Sequence, residues 1–320
     1  MTDTKPPLPL PSPQPQTTAH PSHSLKGRLL VLLSCLIFSL GYFFIKLVHY
    51  GPIDTGFMRG LFTTLFAYAV GRVRGEVFFD GYANHRMAVR RAFFGSISSI
   101  FINAATKMVK LSVFTVVSRA KGLIYIYLGV IILGNKFSWT TVAIGVVSIF
   151  GITLVVSPGM YGFEDSKGNQ DLSLSWSFTE ILGLGSTFCF MIMDSLTSIA
   201  LISMAGSVGF HQAVLILHIG ITLIHGAILS MCAGPITYQL KETLIFIPMV
   251  LCFYVGHIFF NEGCRLEKNA GIIGVLQTTI ALFSMILECL FMGARVSLIN
   301  AVGCLIVFTT SCWAVFLKEK

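Results

Sequence analysis

Residues 28–49, RLLVLLSCLIFSLGYFFIKLVH, form one apolar stretch whose charged side chains, Arg28 and Lys46, lie at or near its ends. The hydrocarbon core of a bilayer is about 30 Å thick, and about 20 apolar helical residues cross it. Inside lipid every backbone N–H and C=O group must be paired within its own segment, so such a stretch must be helical. It therefore predicts a membrane-spanning helix.

Nine similar stretches follow. The ten predicted spans cover approximately residues 28–49, 53–73, 88–108, 111–134, 139–157, 178–203, 208–233, 243–263, 270–293 and 297–317. The chain is 54% hydrophobic and only 11% charged, whereas soluble domains carry about 25% charged residues. These features predict an all-α, multi-pass membrane protein with ten transmembrane helices. The preceding Pro-rich segment, residues 1–24, is expected to be a disordered cytoplasmic tail.

Basic residues are concentrated at one set of span ends. This set comprises Lys26, Arg28, Arg72, Arg74, Arg86, Arg90, Arg91, Lys136, Arg265, Lys268, Lys318 and Lys320. The longest loop at the opposite ends is acidic, with Glu164, Asp165 and Asp171. Because cytoplasmic loops carry an excess of Lys and Arg, both termini are predicted to be cytoplasmic. The net charge of +8 is thereby explained by orientation, and no nucleic-acid partner is expected.

A short motif recurs in the two halves of the chain. LGNKFS at residues 133–138 matches MGARVS at residues 292–297, and the pattern Ala, Gly, Phe follows each motif at nearly the same spacing. Spans four and five therefore correspond to spans nine and ten. Since five is odd, two five-helix repeats, residues 25–160 and 175–320, would cross the membrane in opposite directions. Inverted repeats of this kind are a transporter architecture.

The motifs resemble those of the drug/metabolite transporter superfamily, in its EamA-like, solute-carrier-35-like branch. Residues 111–117 and 133–139, with Gly145, are similar to that family's fourth and fifth helices, and Arg59 is similar to an arginine of its second helix. Residues 271–303, which include Gln277, resemble helices nine and ten. The resemblance implies a secondary-active transporter that moves a small organic metabolite by alternating access. It implies no enzymatic activity and no cofactor.

Ionisable side chains inside the spans need partners, because a charge at the bilayer centre costs at least about 2.5–3.5 kcal/mol. Counting 1.5 Å per residue places Arg59, Arg119 and Glu288 at one level, roughly 8–12 Å below the outer ends of their spans. We expect Arg59, Arg119, Lys121 and Gln277 to bind the solute. Arginine offers a bidentate fork for carboxylate or phosphate, which favours an anion. Alternatively, Glu288 pairs with Arg119 or Lys121 only to hold the two halves together.

Three residues are candidates for a counter-ion or coupling role: Glu288, Asp194 and His218. Asp194 is either a proton-coupling carboxylate or a hydrogen-bonded cavity residue. His211, His218 and His225 recur at intervals of seven and share one face of span seven. Neighbouring members lie about 10.5 Å apart along the axis, too far to share one metal ion. They form either a polar stripe that faces the cavity or three separately bonded histidines, and no metal site is expected.

Spans five and ten contain no ionisable side chain within their cores. They are therefore expected to face lipid or the second copy of a homodimer. The expected partners are a small-molecule solute, the lipid bilayer and, through helices five and ten, that second copy. The competing function is a non-transporting receptor or scaffold that reuses the fold, with the Pro-rich tail docking its partner.

Overall fold

The computed structural model describes residues 21–48, 50–76, 78, 85–109, 114, 117–160, 177–204, 209–232, 240–292 and 297–317. Within these residues the secondary structure is helical and includes no strand. We number the helices in chain order as α1 (Pro21–Leu47), α2 (Pro52–Val73), α3 (His85–Met108), α4 (Lys121–Leu133), α5 (Trp139–Met160), α6 (Phe178–Ser203), α7 (Phe210–Cys232), α8 (Leu240–Leu266), α9 (Ala270–Gln277), α10 (Thr279–Met292) and α11 (Leu298–Phe316). The predicted all-helical class is confirmed.

Six helical segments are long and apolar enough to cross a membrane: Ser24–Ile45, Phe178–Ser203, His211–Met231, Thr243–Leu266, Ala270–Phe291 and Leu298–Phe316. α5 contributes a shorter apolar segment, Trp139–Val155. The second, third and fourth predicted spans fall on α2, α3 and α4, of which α2 and α3 carry more charge and α4 has only 13 residues. Most of the predicted start of span four, residues 111–113 and 115–116, lies outside the described residues.

The predicted tail and the start of α1 overlap. α1 begins at Pro21, so the last four residues of the predicted tail are helical, whereas residues 1–20 lie outside the described part of the chain. The acidic loop, residues 161–176, and the C-terminal lysines, Lys318 and Lys320, also lie outside it.

Local sequence explains several helix ends. Ser177 begins α6 with a capping box, in which its side chain accepts from the backbone N–H of Glu180 and the Glu180 side chain accepts from that of Ser177. Ser297 and Asn300 form the same arrangement at the start of α11. α4 ends at Gly134, whose φ of 68° lies in the left-handed region that glycine adopts without strain.

The helices pair across the two halves of the chain. α1 packs most extensively on α8 and α3 on α6, while α2 packs on α7, α4 on α9 and α5 on α11. Predicted spans one to five correspond to α1–α5, and spans six to ten correspond to α6, α7, α8, α9 with α10, and α11. If each span is exchanged with the one five places away, the same set of pairs results. The first half of the chain therefore buries much of its apolar surface against the second.

Two helices are interrupted in the same way. Ala120, just before α4, donates its N–H to Val117 and accepts from Leu123 three residues on. Thr278, between α9 and α10, donates to Val275 and accepts from Ala281 at the same spacing. These bonds between residues i and i−3 tighten the backbone and break the regular helical ladder. The breaks lie in the fourth and ninth predicted spans, which were predicted to be repeat equivalents.

α5 and α11 lie against each other. The Ser148 hydroxyl donates to Thr310 Oγ1 at 2.7 Å, and the Asn300 amide donates to the backbone carbonyl of Val155. Gly151 and Gly303 bring the two backbones together, since a Cβ added at Gly303 would lie 2.6 Å from the Gly151 carbonyl oxygen. One face of each helix is thus occupied within the same chain, while the outer faces remain apolar and exposed.

A buried ion pair ties three elements together at one end of the bundle. Arg28 Nε on α1 lies 2.6 Å from Glu267 Oε2 in the α8–α9 turn, and both side chains are less than a tenth exposed. Arg28 Nη1 also donates to the carbonyl oxygens of Val315 at 3.0 Å and Leu317 at 2.6 Å at the end of α11. Glu267 Oε1 accepts from the Asn269 N–H at 2.9 Å. The pair therefore joins the start of α1 to the end of α11.

Arg28→Gln is expected to lower the free energy of unfolding by about 3 kcal/mol, because it leaves the Glu267 carboxylate buried without a counter-charge. Lys26→Gln is the matched control, since Lys26 lies two residues earlier on the same helix and is exposed. It should change stability by less than about 0.5 kcal/mol. Unfolding of the two purified variants in detergent measures both effects, and equal stabilities would contradict this role of the pair.

Candidate functional site

A cavity with an empty volume of about 860 Å³, its open mouth included, lies inside the helix bundle. α1 to α4 and α6 to α10 contribute its lining, whereas α5 and α11 contribute none of the described lining residues. The peripheral position predicted for spans five and ten agrees with this arrangement.

The lining combines aromatic rings with ionisable groups. The aromatic residues are Phe38, Tyr42, Phe190, Phe253 and Phe260. The charged and histidine side chains of the lining are Arg59, Arg91, Lys121, Asp194, His218 and His257. Among the described lining residues three side chains are therefore basic and one is a carboxylate. With neutral histidines this part of the cavity carries a surplus of two positive charges.

Arg59 projects into the cavity from the first half of α2. Its guanidinium carbon lies 4.7 Å from the centre of the Phe253 ring, and Nη2 donates to Ser99 Oγ at 3.4 Å. Arg59 Nε is buried and makes no hydrogen bond in the described structure. The neighbouring Gly60 lets α2 approach α7, because an added Cβ would lie 2.8 Å from Thr222 Oγ1. Arg59 was predicted to bind the solute, and its position in the cavity is compatible with that role.

Lys121 and Asp194 form an ion pair inside the cavity. Lys121 Nζ lies 2.6 Å from Asp194 Oδ2, with the lysine side chain 9% exposed and the aspartate 27% exposed. One turn further on, the Tyr125 hydroxyl bonds to Ser198, so α4 and α6 share two polar contacts in register. The sequence suggested Glu288 as the partner of Lys121 or Arg119. The backbone of Glu288 lies in α10, but its side chain is outside the described residues.

Arg91 is a cavity residue that the sequence argument assigned to the cytoplasmic end of the third span. It is 2% exposed, and Nη1 donates to the Ala213 carbonyl at 3.0 Å while Nη2 donates to Asn261 Oδ1 at 3.2 Å. The preceding Arg90 is exposed. Helical spacing was the signal that could have separated them, because Arg91, Gly95 and Ser99 recur every four residues on the cavity face.

The histidines of α7 occupy three different environments. His218 lines the cavity, where its ring lies edge to face with His257 of α8, 5.1 Å between centres. His211 contacts Glu76 at 3.8 Å and bonds to the Tyr254 hydroxyl, and His225 Nε2 lies 3.0 Å from the Asn103 amide. Separate hydrogen bonding thus describes His211 and His225. Among the described residues no group of His, Cys, Asp and Glu is arranged to hold a metal ion.

Gln277 and Arg119 differ in their access to the cavity. Gln277 is buried, lines the cavity and leaves its Oε1 without a hydrogen bond in the described structure. Arg119 is not a lining residue, although it lies close enough to Tyr42 and Asp194 to interact with them electrostatically. Of the two basic residues that flank Ala120, Lys121 is therefore the one in the cavity.

The fold and the cavity define a multi-pass, all-helical membrane protein with a partly charged internal site, which is the general form of a membrane transporter. Residues 25–157 match the model of the EamA-like transporter family. This match confirms the predicted EamA-like resemblance over those residues but not the solute-carrier-35-like branch. The EamA-like family is one of membrane transporters of the drug/metabolite type.

Two further comparisons concern the fold and the sequence. A solved structure described only as "Crystal structure of protein" superposes with a TM-score of 0.71 at 15% identity, over 91% of this chain and 95% of the other. At that identity the likeness is one of fold alone. No curated protein sequence gives a significant match.

Proposed function

We propose that this protein is a secondary-active transporter that moves a small organic anion by alternating access between two inverted five-helix repeats. The observation that carries the proposal is the surplus of positive charge in the cavity, where Arg59 and Arg91 have no carboxylate partner among the described residues. Uncompensated charge in a low-dielectric interior is costly. A bound anion supplies the missing counter-charge.

Two features support the inverted repeats. The first is the symmetry of the helix pairs: when the two halves are exchanged, α1–α8 becomes α3–α6, and α2–α7, α4–α9 and α5–α11 each map onto themselves. The second is the common hydrogen-bond pattern of the breaks at Ala120 and Thr278. Discontinuous helices at the repeat interface frame the solute site in many secondary transporters. Here the residues next to the breaks, Lys121 and Gln277, both line the cavity.

The proposed transporter has both termini in the cytoplasm, because the excess of Lys and Arg at one set of span ends favours that orientation. A homodimer would use the exposed outer faces of α5 and α11, where Val146, Phe150, Leu305 and Phe308 are apolar and exposed. Asp194, His218 and Glu288 stay the proposed counter-ion or coupling groups, and the first two of them line the cavity. Arg119, which is not a lining residue, is assigned to holding the halves together.

Arg59→Gln is expected to reduce uptake at least about tenfold, because the variant loses a charge-assisted contact with the anion inside the cavity. Counterflow of a panel of organic anions and cations into proteoliposomes measures it. Arg72→Gln is the matched control on the same helix, since Arg72 is exposed, and it should transport normally. Normal transport by Arg59→Gln, or wild-type flux confined to cations, would overturn the anion site. Absence of solute flux across the panel would favour the non-transporting alternative.

A further inference from the structure

We propose that the cavity binds a dianion, with one acidic group at Arg59 and the other at a second subsite formed by Arg91 and His257, with Asn261 behind them. This inference rests on the proposed function and specifies the class of solute for the same cavity. It starts from the fact that the cavity has two guanidinium groups rather than one, each without a carboxylate partner among the described residues.

The second subsite is built from buried donors. Arg91 is 2% exposed and Asn261 is 3% exposed, and they bond to each other through Nη2 and Oδ1 at 3.2 Å. Three buried nitrogens there make no hydrogen bond in the described structure: Arg91 Nε, Asn261 Nδ2 and His257 Nδ1. Arg91 Nε and Asn261 Nδ2 are donors, and His257 Nδ1 is a donor in the tautomer that carries its proton there. Buried polar groups are nearly always bonded, so such a concentration calls for an acceptor. Arg91 and His257 both line the cavity, where a solute can supply it.

The two guanidinium groups lie at different levels, and two helices give the same separation. On α8 the Arg59 guanidinium lies over Phe253 while Arg91 bonds to Asn261, eight residues further on. On α3, Arg59 bonds to Ser99, which is eight residues beyond Arg91 itself. Eight helical residues span about 12 Å along the axis. One carboxylate cannot contact both groups across that distance.

Two lining residues mark the space between the two levels. His257 lies midway between Phe253 and Asn261 on α8, and Gly95 lies midway between Arg91 and Ser99 on α3. His257 is held edge to face against Phe38 at 5.0 Å between ring centres. Each acidic group would sit within hydrogen-bond distance of its own guanidinium, so the two groups are roughly 4–12 Å apart. Short dicarboxylates meet this requirement.

The test measures binding to the purified full-length protein by thermal stabilisation. The probes are succinate, glutarate and adipate, each compared with its own monoamide, which keeps the length and removes one charge. We expect at least one dicarboxylate to bind at least about tenfold more tightly than its monoamide. Counterflow of the same pairs in proteoliposomes should show the same preference.

Arg91→Gln is expected to reduce that preference to about twofold or less, because the second acidic group then has no guanidinium partner. Arg91→Lys keeps the positive charge and should retain part of the preference, which guards against a folding defect in the glutamine variant. Arg90→Gln is the matched control, because Arg90 is exposed on the neighbouring position of α3, and it should keep the full preference.

The outcomes separate the two proposals. If monoamides bind as tightly as the diacids, or if folded Arg91→Gln keeps the preference, the dianion inference is wrong and an anion transporter remains. If monoanions bind but no dicarboxylate does, the same conclusion holds. If neither kind of anion binds or is transported, the proposed function fails together with the inference.

Discussion

Gly274→Val is expected to prevent the accumulation of folded protein, because Gly274 lies where α9 crosses α4 with the two backbones in contact. A Cβ added at Gly274 would lie 2.9 Å from Tyr125 Cβ and 3.0 Å from the Gly122 carbonyl oxygen. Real Cβ atoms essentially never lie as close to another atom as this one would to Tyr125 Cβ, and the contact with the Gly122 backbone is tighter than nearly all real ones. Valine adds two further methyl groups.

Neither helix can readily move to make room. Every residue of α9 is buried, and Asn269 fixes its start by accepting from the N–H groups of Gly271 and Ile272. On the other side, α4 is tied to α6 through Lys121 and Tyr125. Overpacking in an interior typically costs about 1–3 kcal/mol and occasionally more. At a contact between two backbones we expect more than about 3 kcal/mol.

Gly185→Val provides the control for this experiment. Gly185 also lies within a helix, α6, but a Cβ added there would meet no atom within 4 Å. Glycine is less favourable than valine in a helix interior, so this variant should be as stable as the wild type. Yield of monodisperse protein and its thermal stability in detergent give the readout. Wild-type yield and stability for Gly274→Val would show that the crossing is looser than its geometry indicates.

The sequence predicted the helical class and the role of several cavity residues because both depend on strong local signals. Long apolar runs must be helical in lipid, and rare charges within them must face protein or water. Arg59, Lys121 and Asp194 were selected by that argument, and each lines the cavity. His218, selected by the seven-residue spacing of the histidines, and Gln277, selected by the family resemblance, line it as well. Their binding and coupling roles stay predictions.

The charge partners could not be predicted in the same way. Depth along a helix was counted from the sequence, but the neighbour of a side chain depends on how each helix is rotated and paired. Asp194 lies on α6 and contacts Lys121 because α4 packs beside α6, a pairing that no repeat motif specifies. Arg91 was missed for a related reason. It lies among basic residues near a helix end, where basic side chains usually snorkel, and only its four-residue spacing from Gly95 and Ser99 marks it as facing the cavity.

Asp194→Leu is expected to reduce transport at least about 100-fold and to destabilise the protein, because it leaves Lys121 as a third uncompensated cation in the cavity. Removing one partner of a buried pair typically costs about 3–5 kcal/mol. The partial exposure of Asp194 favours the lower end of that range. Unfolding in detergent and counterflow in proteoliposomes measure stability and transport separately.

The double variant Lys121→Met with Asp194→Leu separates a structural pair from a functional one. Replacing both partners of a buried pair by apolar residues of similar volume is often neutral for stability, so the double variant should recover to within about 1 kcal/mol of the wild type. Its transport should stay low if Lys121 meets the solute or Asp194 takes part in coupling. Removing the more exposed Glu262–Arg265 pair in the same way is the control, and should change neither property. Recovery of both stability and transport in the cavity double variant would mean that the pair only joins α4 to α6, and the solute site would then rest on Arg59, Arg91 and Gln277.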